Sequence, residues 1–257
     1  MKRFVYLTSL TLLLIQSSAS AQVTTFYGDS NAFPRDLTVP LSTQASFLSF
    51  IGASGTNNFD SYTPFLPPPG AMGFPGLPTT VSTDATFVGI DTQQQGSFSV
   101  SAPQFLSSSL ILDINGQPIG ANLVTSFVFS DRINAFGAFF VNVGDLSNSN
   151  VLSITLQDGV AGTPRNFLIN SGTPFQGRNF DATFYYGIHD AVPFDRVFIN
   201  ATSNQEGYIF DNITINAVPE PATYVLIAGI GLAGYATHRY RRNRLKKMGE
   251  LSLKAAK

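Results

Sequence analysis

Between Val151 and Gln157 the chain alternates strictly, with Leu152, Ile154 and Leu156 apolar and Ser153, Thr155 and Gln157 polar. A two-residue period places successive side chains on opposite faces of a pleated strand, so this segment predicts a strand with one buried side, and Asp158-Gly159 supplies the turn after it. A second strand-then-turn signal is Leu110 to Ile114 followed by Asn115-Gly116. Further runs rich in Phe, Val, Ile and Thr predict strands at Val124–Phe129, Ala135–Val143, Phe184–Ile188, Arg196–Asn200 and Tyr208–Ile215. Gly, Asn, Asp and Pro punctuate them, the pattern of an all-β sandwich. No segment from Gln22 to Ala217 shows a sustained 3.6-residue apolar stripe, which predicts low helix content there. From Pro64 to Pro78, six prolines and three glycines fall within fifteen residues, so this stretch reads as a loop. No repeat of fixed period is present.

The two ends have a different pattern. Lys2 and Arg3 precede an apolar stretch from Phe4 to Ile15, and Ala19-Ser20-Ala21 forms a small-x-small site. Residues 1–21 therefore read as a secretory signal peptide cut before Gln22. Near the other end, Val218 and Glu220 each precede a proline, which disfavours helical backbone and makes residues 218–221 a stiff, extended peptide. An apolar run from Ala222 to Thr237 follows, with no charge in it. Pro221 is suited to the first turn of a helix there. Its sixteen residues reach about 24 Å at roughly 1.5 Å each, barely enough to cross a bilayer with flanking Tyr and Arg side chains snorkelling. Arg239, Arg241, Arg242, Arg244, Lys246 and Lys247 then act as a basic stop over 238–247, which holds the C-terminus and the 248–257 tail in the cytoplasm. The mature ectodomain is residues 22–217, long enough for one sizeable core.

Charge is segregated between these parts. Residues 22–217 carry five Arg against thirteen Asp and one Glu, a net charge of −9, and no Lys. Such a surface repels nucleic acid, which excludes it as a partner. Cysteine is absent, so no disulfide staples this exported domain and no thiol can serve as a nucleophile or ligand.

The order Val218-Pro219-Glu220-Pro221, short apolar helix and basic cluster resembles the PEP-CTERM sorting domain, over residues 218–247. The resemblance implies an exported bacterial protein recognised at Val218, Pro219, Glu220 and Pro221 by exosortase, a membrane-embedded cysteine transpeptidase. On that implication the ectodomain is released or transferred to the cell surface or extracellular matrix. The second half of the ectodomain is also similar to many PEP-CTERM ectodomains, in the succession Asn134–Phe139, Leu152–Gly159, Phe184–Ile188 and Phe210–Ile213. This implies a jelly-roll-like β-sandwich.

Candidate chemistry is sparse. Were Tyr208–Ile215 a regular strand, Asp211 would share a face with Ile209, Ile213 and Ile215, aiming a carboxylate at the apolar layer. A buried charge needs a partner. A structural Ca²⁺ is one reading, with Asp29 supplying a second oxygen; a bulge that re-aims Phe210 inward, an Arg partner, or an Asp capping its own backbone are the others. His189 is the lone histidine of the mature domain and reads as a surface residue beside a turn at Asp190, while Glu206 is its lone Glu. The G-x-S-x-G, H-E-x-x-H and Walker A patterns are missing. The expectation is a non-catalytic surface or matrix protein without a cofactor. The alternatives are a carbohydrate-binding module for exopolysaccharide, with Tyr185, Tyr186 and Tyr208 as stacking residues, and an Asp-dependent glycoside hydrolase.

Overall fold

The computed structural model describes residues 22–30, 36–63, 70–83, 88–92, 99–101, 104–108, 123–141, 152–169, 182–201, 208–218, 229–235, 237–240 and 242. The predicted signal peptide and the strand expected at Leu110–Ile114 lie outside them.

Residues 22–218, where described, form an all-β sandwich with a helix on an outer face. In order, the elements are β1 (Val23–Ser30), α1 (Thr38–Ile51), β2 (Gly55–Asn57), β3 (Met72–Gly73), β4 (Thr80–Ser82), β5 (Val88–Thr92), β6 (Gln104–Ser108), β7 (Leu123–Val141), β8 (Leu152–Gln157), β9 (Arg165–Leu168), β10 (Thr183–Ala201) and β11 (Tyr208–Ala217). Among the described residues all pairings are antiparallel. Two 19-residue strands, β7 and β10, pair with each other along most of their length and belong to both layers. Their register shifts between His189 and Phe194 and again before Arg196, and there the ladder folds over. On one side lie β1, the first half of β10, the second half of β7, and β11 with β2, β6 and β5. On the other lie β9, β8, the second half of β10, the first half of β7, and β4 with β3.

Alternation fills the space between the layers. Phe136, Ala138, Phe140, Phe184, Tyr186 and Ile188 of the first layer meet Phe127, Phe129, Leu152, Ile154, Leu156, Val197 and Ile199 of the second in one buried cluster. The strand read from Leu152, Ile154 and Leu156 buries those three and half-exposes Ser153, Thr155 and Gln157, and Gly159 takes φ 62° in the turn that follows. The pairs expected as separate strands, 124–129 with 135–143 and 184–188 with 196–200, are instead the two halves of β7 and of β10. The turn expected at Asp190 is likewise the bent part of β10, where Pro193 falls at the register shift. Most of the Pro/Gly-rich stretch is loop where it is described, but Met72–Gly73 pairs with Thr80–Val81 around a turn closed by Leu77 N–H donating to the Phe74 carbonyl at 3.0 Å.

Helix α1 is an element that no segment of the sequence announced, and at 14 residues it leaves the helix content of the ectodomain low, as expected. Asp36 Oδ1 accepts hydrogen bonds from the N–H and hydroxyl of Thr38, at 2.8 and 2.6 Å, which order the entry to the helix. Gly52 ends it at φ 71°, donating its N–H to the Leu48 carbonyl. Pro40, Phe47 and Ile51 form its buried side, but Thr43 and Gln44 lie between them while Val39 and Leu41 face outward and Phe50, half exposed, leans on Phe26 and His189. The helix therefore has no apolar stripe to read.

Its seat is a glycine floor. On the outer face of the first layer Phe47 packs with Ala135, Phe139, Tyr185 and Ile51, edge-on to Phe26 at 5.5 Å. A Cβ on Gly187 would come within 2.6 Å of the Phe47 ring, one on Gly137 within 2.7 Å of it, and one on Gly28 would collide with Thr43. Bare backbone at three positions on adjacent strands lets the helix lie close to the sheet.

Candidate functional site

Asp211 is fully buried, and β11 is not regular around it. Asp211 pairs with Phe139 and Thr214 pairs with Gly137, so Asn212 and Ile213 together stand opposite Ala138. This is a bulge, with Asn212 at φ 48°, a backbone region that asparagine tolerates better than most residues. The extra residue inverts the parity of the strand. Phe210, Ile213 and Ile215 point into the main core, whereas Ile209 packs on the outer face with Phe105 and Val141. Asp211, two residues from Ile209 and paired to Phe139, lies on that outer side. The expected common face of Asp211 with Ile213 and Ile215 is therefore replaced by the bulge that turns Phe210 inward.

The carboxylate is held by hydrogen-bond donors. Its Oδ2 accepts the N–H groups of Val100 and Ser101 at 2.6 and 2.8 Å, and its Oδ1 accepts the Asn212 N–H at 2.7 Å and the Ser101 hydroxyl at 3.1 Å. Val100, anchored this way, packs against both outer clusters. Asp211 thus ties the segment 99–101 across β11. Burial pushes its pKa up to about 6, against the pull of these donors.

Asp29 lies elsewhere. It pairs with Phe184, which pairs with Phe140, which pairs with Phe210, so β10 and β7 separate β1 from β11. Three strand spacings are roughly 14 Å. The row of Asp29 also faces the interior side while that of Asp211 faces outward, so the fold does not bring the two together. Among the described residues there is no group of three or more His, Cys, Asp or Glu able to hold a metal.

The sign of the Asp211 shift sets a testable pH dependence. A carboxyl whose folded pKa exceeds its unfolded value binds more protons when folded, so this contribution to stability is full below about pH 4 and disappears as pH rises through about 6. A shift of about two units corresponds to about 3 kcal/mol at most. Urea unfolding of the ectodomain at pH 4.5 and pH 7 is expected to show greater stability at the lower pH, with Asp211→Asn flattening much of the difference and EDTA changing neither curve. An unaltered pH dependence in the variant would remove Asp211 as its source.

The other expected site residues separate into buried and terminal groups. Tyr185 and Tyr186 are fully buried, one against Phe47 and Phe139 on the outer face and one in the main core, so neither is exposed for stacking on a sugar. Burial raises the pKa of both phenols. The side chain of Tyr208 lies outside the described set. His189 sits half-exposed on the outer face, edge-on to Phe50 at 5.2 Å; burial lowers its pKa while neighbouring Asp190 raises it.

Sequence reading missed the charged network at the bend of the ladder. Arg165 Nε lies 2.9 Å from Asp190 Oδ2, with Asp190 fully buried, and an Arg165 terminal nitrogen donates to the Val192 carbonyl at 2.9 Å. Asp190 Oδ1 accepts the Val192 N–H at 2.8 Å, and Asp195 Oδ1 accepts the Gly159 N–H at 2.7 Å. Arg132 grips Asp158 with two contacts of 2.9 Å. These residues are far apart in sequence and carry no local signal.

The last strand ends at the same place. β11 keeps its pairing to β7 as far as Ala217 opposite Ile133, and the Val218 N–H donates to the Arg132 carbonyl at 3.2 Å. Asn216 Nδ2 donates to the Ile51 carbonyl at 2.5 Å, joining the strand end to the end of α1. Pro219, Glu220, Pro221, Arg241 and Arg244 lie outside the described residues. Residues 229–235 and 237–240 are helical and exposed, Arg239 among them, as is Arg242. Among the described residues no helix is long and apolar enough to cross a membrane.

Residues 217–242 match the family model of the PEP-CTERM protein-sorting motif. No curated protein matches the chain in sequence. Among solved structures, it is similar to the K2 cleaved adhesin domain of Lys-gingipain, at 12% identity over 64% of this chain and 99% of that one, with a TM-score of 0.42. It is also similar to the CBM22-1 xylan-binding domain of Paenibacillus barcinonensis Xyn10C, at 13% identity over 65% and 94%, TM-score 0.29. A third is the family 11 carbohydrate-binding module of Clostridium thermocellum, at 10% identity over 65% and 97%, TM-score 0.27.

Proposed function

We propose that this chain is an exported, non-catalytic surface or matrix protein, in which the sandwich is the delivered module and residues 218–247 direct its sorting and processing by exosortase. The observation that carries the reading is the junction: the sorting-motif match begins at residue 217, where the last strand of the domain ends. Export begins with removal of residues 1–21. The apolar run 222–237 then holds the precursor in the bilayer, with Arg239, Arg241, Arg242 and Arg244 on the cytoplasmic side. Neither a catalytic group nor a cofactor is assigned to the domain. Exopolysaccharide as a ligand loses the support of Tyr185 and Tyr186, which are buried.

The test is Glu220→Ala in the full chain, in cells that carry the sorting enzyme. Most of the protein is expected to remain as membrane-bound precursor, while the wild type appears as a shorter released form on immunoblots of membrane and medium fractions. Equal processing of the two would overturn the reading.

A further inference from the structure

We propose that the end of β11 is a protected stop that sets the N-terminal limit of processing, so that the mature ectodomain retains Val218. The inference rests on the sorting function proposed above and adds to it where the fold permits the enzyme to act. Cleaving enzymes hold substrate as an extended peptide, its backbone N–H and C=O groups free to pair with the active-site cleft. Up to the junction the strand is instead held along one side by β7. Asn216 pairs with Ala135 and Ala217 with Ile133, and Val218 donates its N–H to Arg132. The Asn216 side chain is tied to the end of α1, and Arg132 is itself gripped by Asp158.

The sorting signal leaves little room on the other side. Only Pro219, Glu220 and Pro221 separate Val218 from the apolar run that starts at Ala222, a span of about 14 Å even when fully extended. The sandwich end bearing Arg132, Asp158 and Val218 is thereby held against the membrane face of the enzyme. In the transfer step the thiol of the enzyme adds to the carbonyl carbon of the bond to be cut, that C–N bond breaks, and the amine leaves with the thiol proton on the membrane-side fragment. Water or an acceptor amine then takes the acyl group from sulfur. A bond before Val218 can enter such a cleft only if β11 first leaves its pairing with β7.

Intact-mass analysis of the released ectodomain from cells expressing the full chain with its sorting enzyme is the experiment. The released form is expected to include Val218, and inserting Gly-Ser-Gly-Ser between Val218 and Pro219 is expected to speed release several-fold by supplying free peptide before the motif, with the ectodomain melt unchanged. A mature C-terminus at Ala217 or earlier, or an unchanged rate in the insertion variant, would overturn the inference. The Glu220→Ala chain, run in parallel, reports on the sorting function separately: its loss of processing together with either adverse result leaves sorting intact and removes the protected stop alone.

Discussion

Replacing Phe47 by Ala is expected to lower the stability of the ectodomain by about 3–5 kcal/mol, the usual cost of emptying a buried phenylalanine site. At about 2–4 °C per kcal/mol for a domain of this size, the melting temperature should fall by roughly 6–20 °C, read by circular dichroism. Phe47 is completely buried, and its ring is the central contact between α1 and the sheet, touching Phe26 and Tyr185 and lying over two glycines. Without it the helix retains Pro40 and Ile51 as its buried side chains. The same contact can be broken from below. Gly187→Ala puts a methyl within 2.6 Å of the ring, an overpacking expected to cost about 1–3 kcal/mol. Because the two changes act on one contact, their combination should cost less than their sum. Additive losses, or a Phe47→Ala domain as stable as the wild type, would mean that α1 is not held through this ring.

Arg165→Met is expected to destabilise the domain by a comparable amount, about 3–5 kcal/mol, because it leaves the fully buried Asp190 carboxylate without its cation. Arg165 also donates to the Val192 carbonyl at the point where β10 crosses between layers, so its loss frees a main-chain acceptor as well. Changing both partners, Arg165→Met with Asp190→Leu, removes the stranded charge and should restore part of the stability, although the Val192 N–H then loses its acceptor. Urea titrations of the single and double variants give the coupling directly. A single variant within about 0.5 kcal/mol of wild type, the range of ordinary surface changes, would show that the pair does not hold the bend.

How far the sequence revealed this molecule depends on whether the signal is local. Leu152, Ile154 and Leu156 betray their strand because alternation is a property of neighbouring residues, and the sorting signal is legible for the same reason. The continuity of β7 and β10 is not local. Asp190 to Pro193 looks like a turn in isolation, and the two long strands resume their pairing beyond it, through Phe194 with Ile133 and then Arg196 with Val128. Helix α1 was hidden because Thr43 and Gln44 occupy its inner side, over the glycine floor, while Val39 and Leu41 face outward. Asp36 and Gly52 at its ends were the available clues. The burial of Asp211 was legible and its direction was not, since one inserted residue exchanges the faces of everything beyond it. Tyr185 and Tyr186 looked like surface platforms because aromatic strand residues carry no mark of which layer will cover them.

On the sorting proposed above, a membrane tether would leave the domain from the end of β11, a strand paired to β7 on one side and to β2 and β6 on the other. Traction from the envelope on the anchored precursor would therefore run lengthwise down that strand. Antiparallel hydrogen bonds lie across the strand direction, so such a pull strains many of them at once in shear instead of peeling them singly. An attachment there would load the sheet in its shear direction.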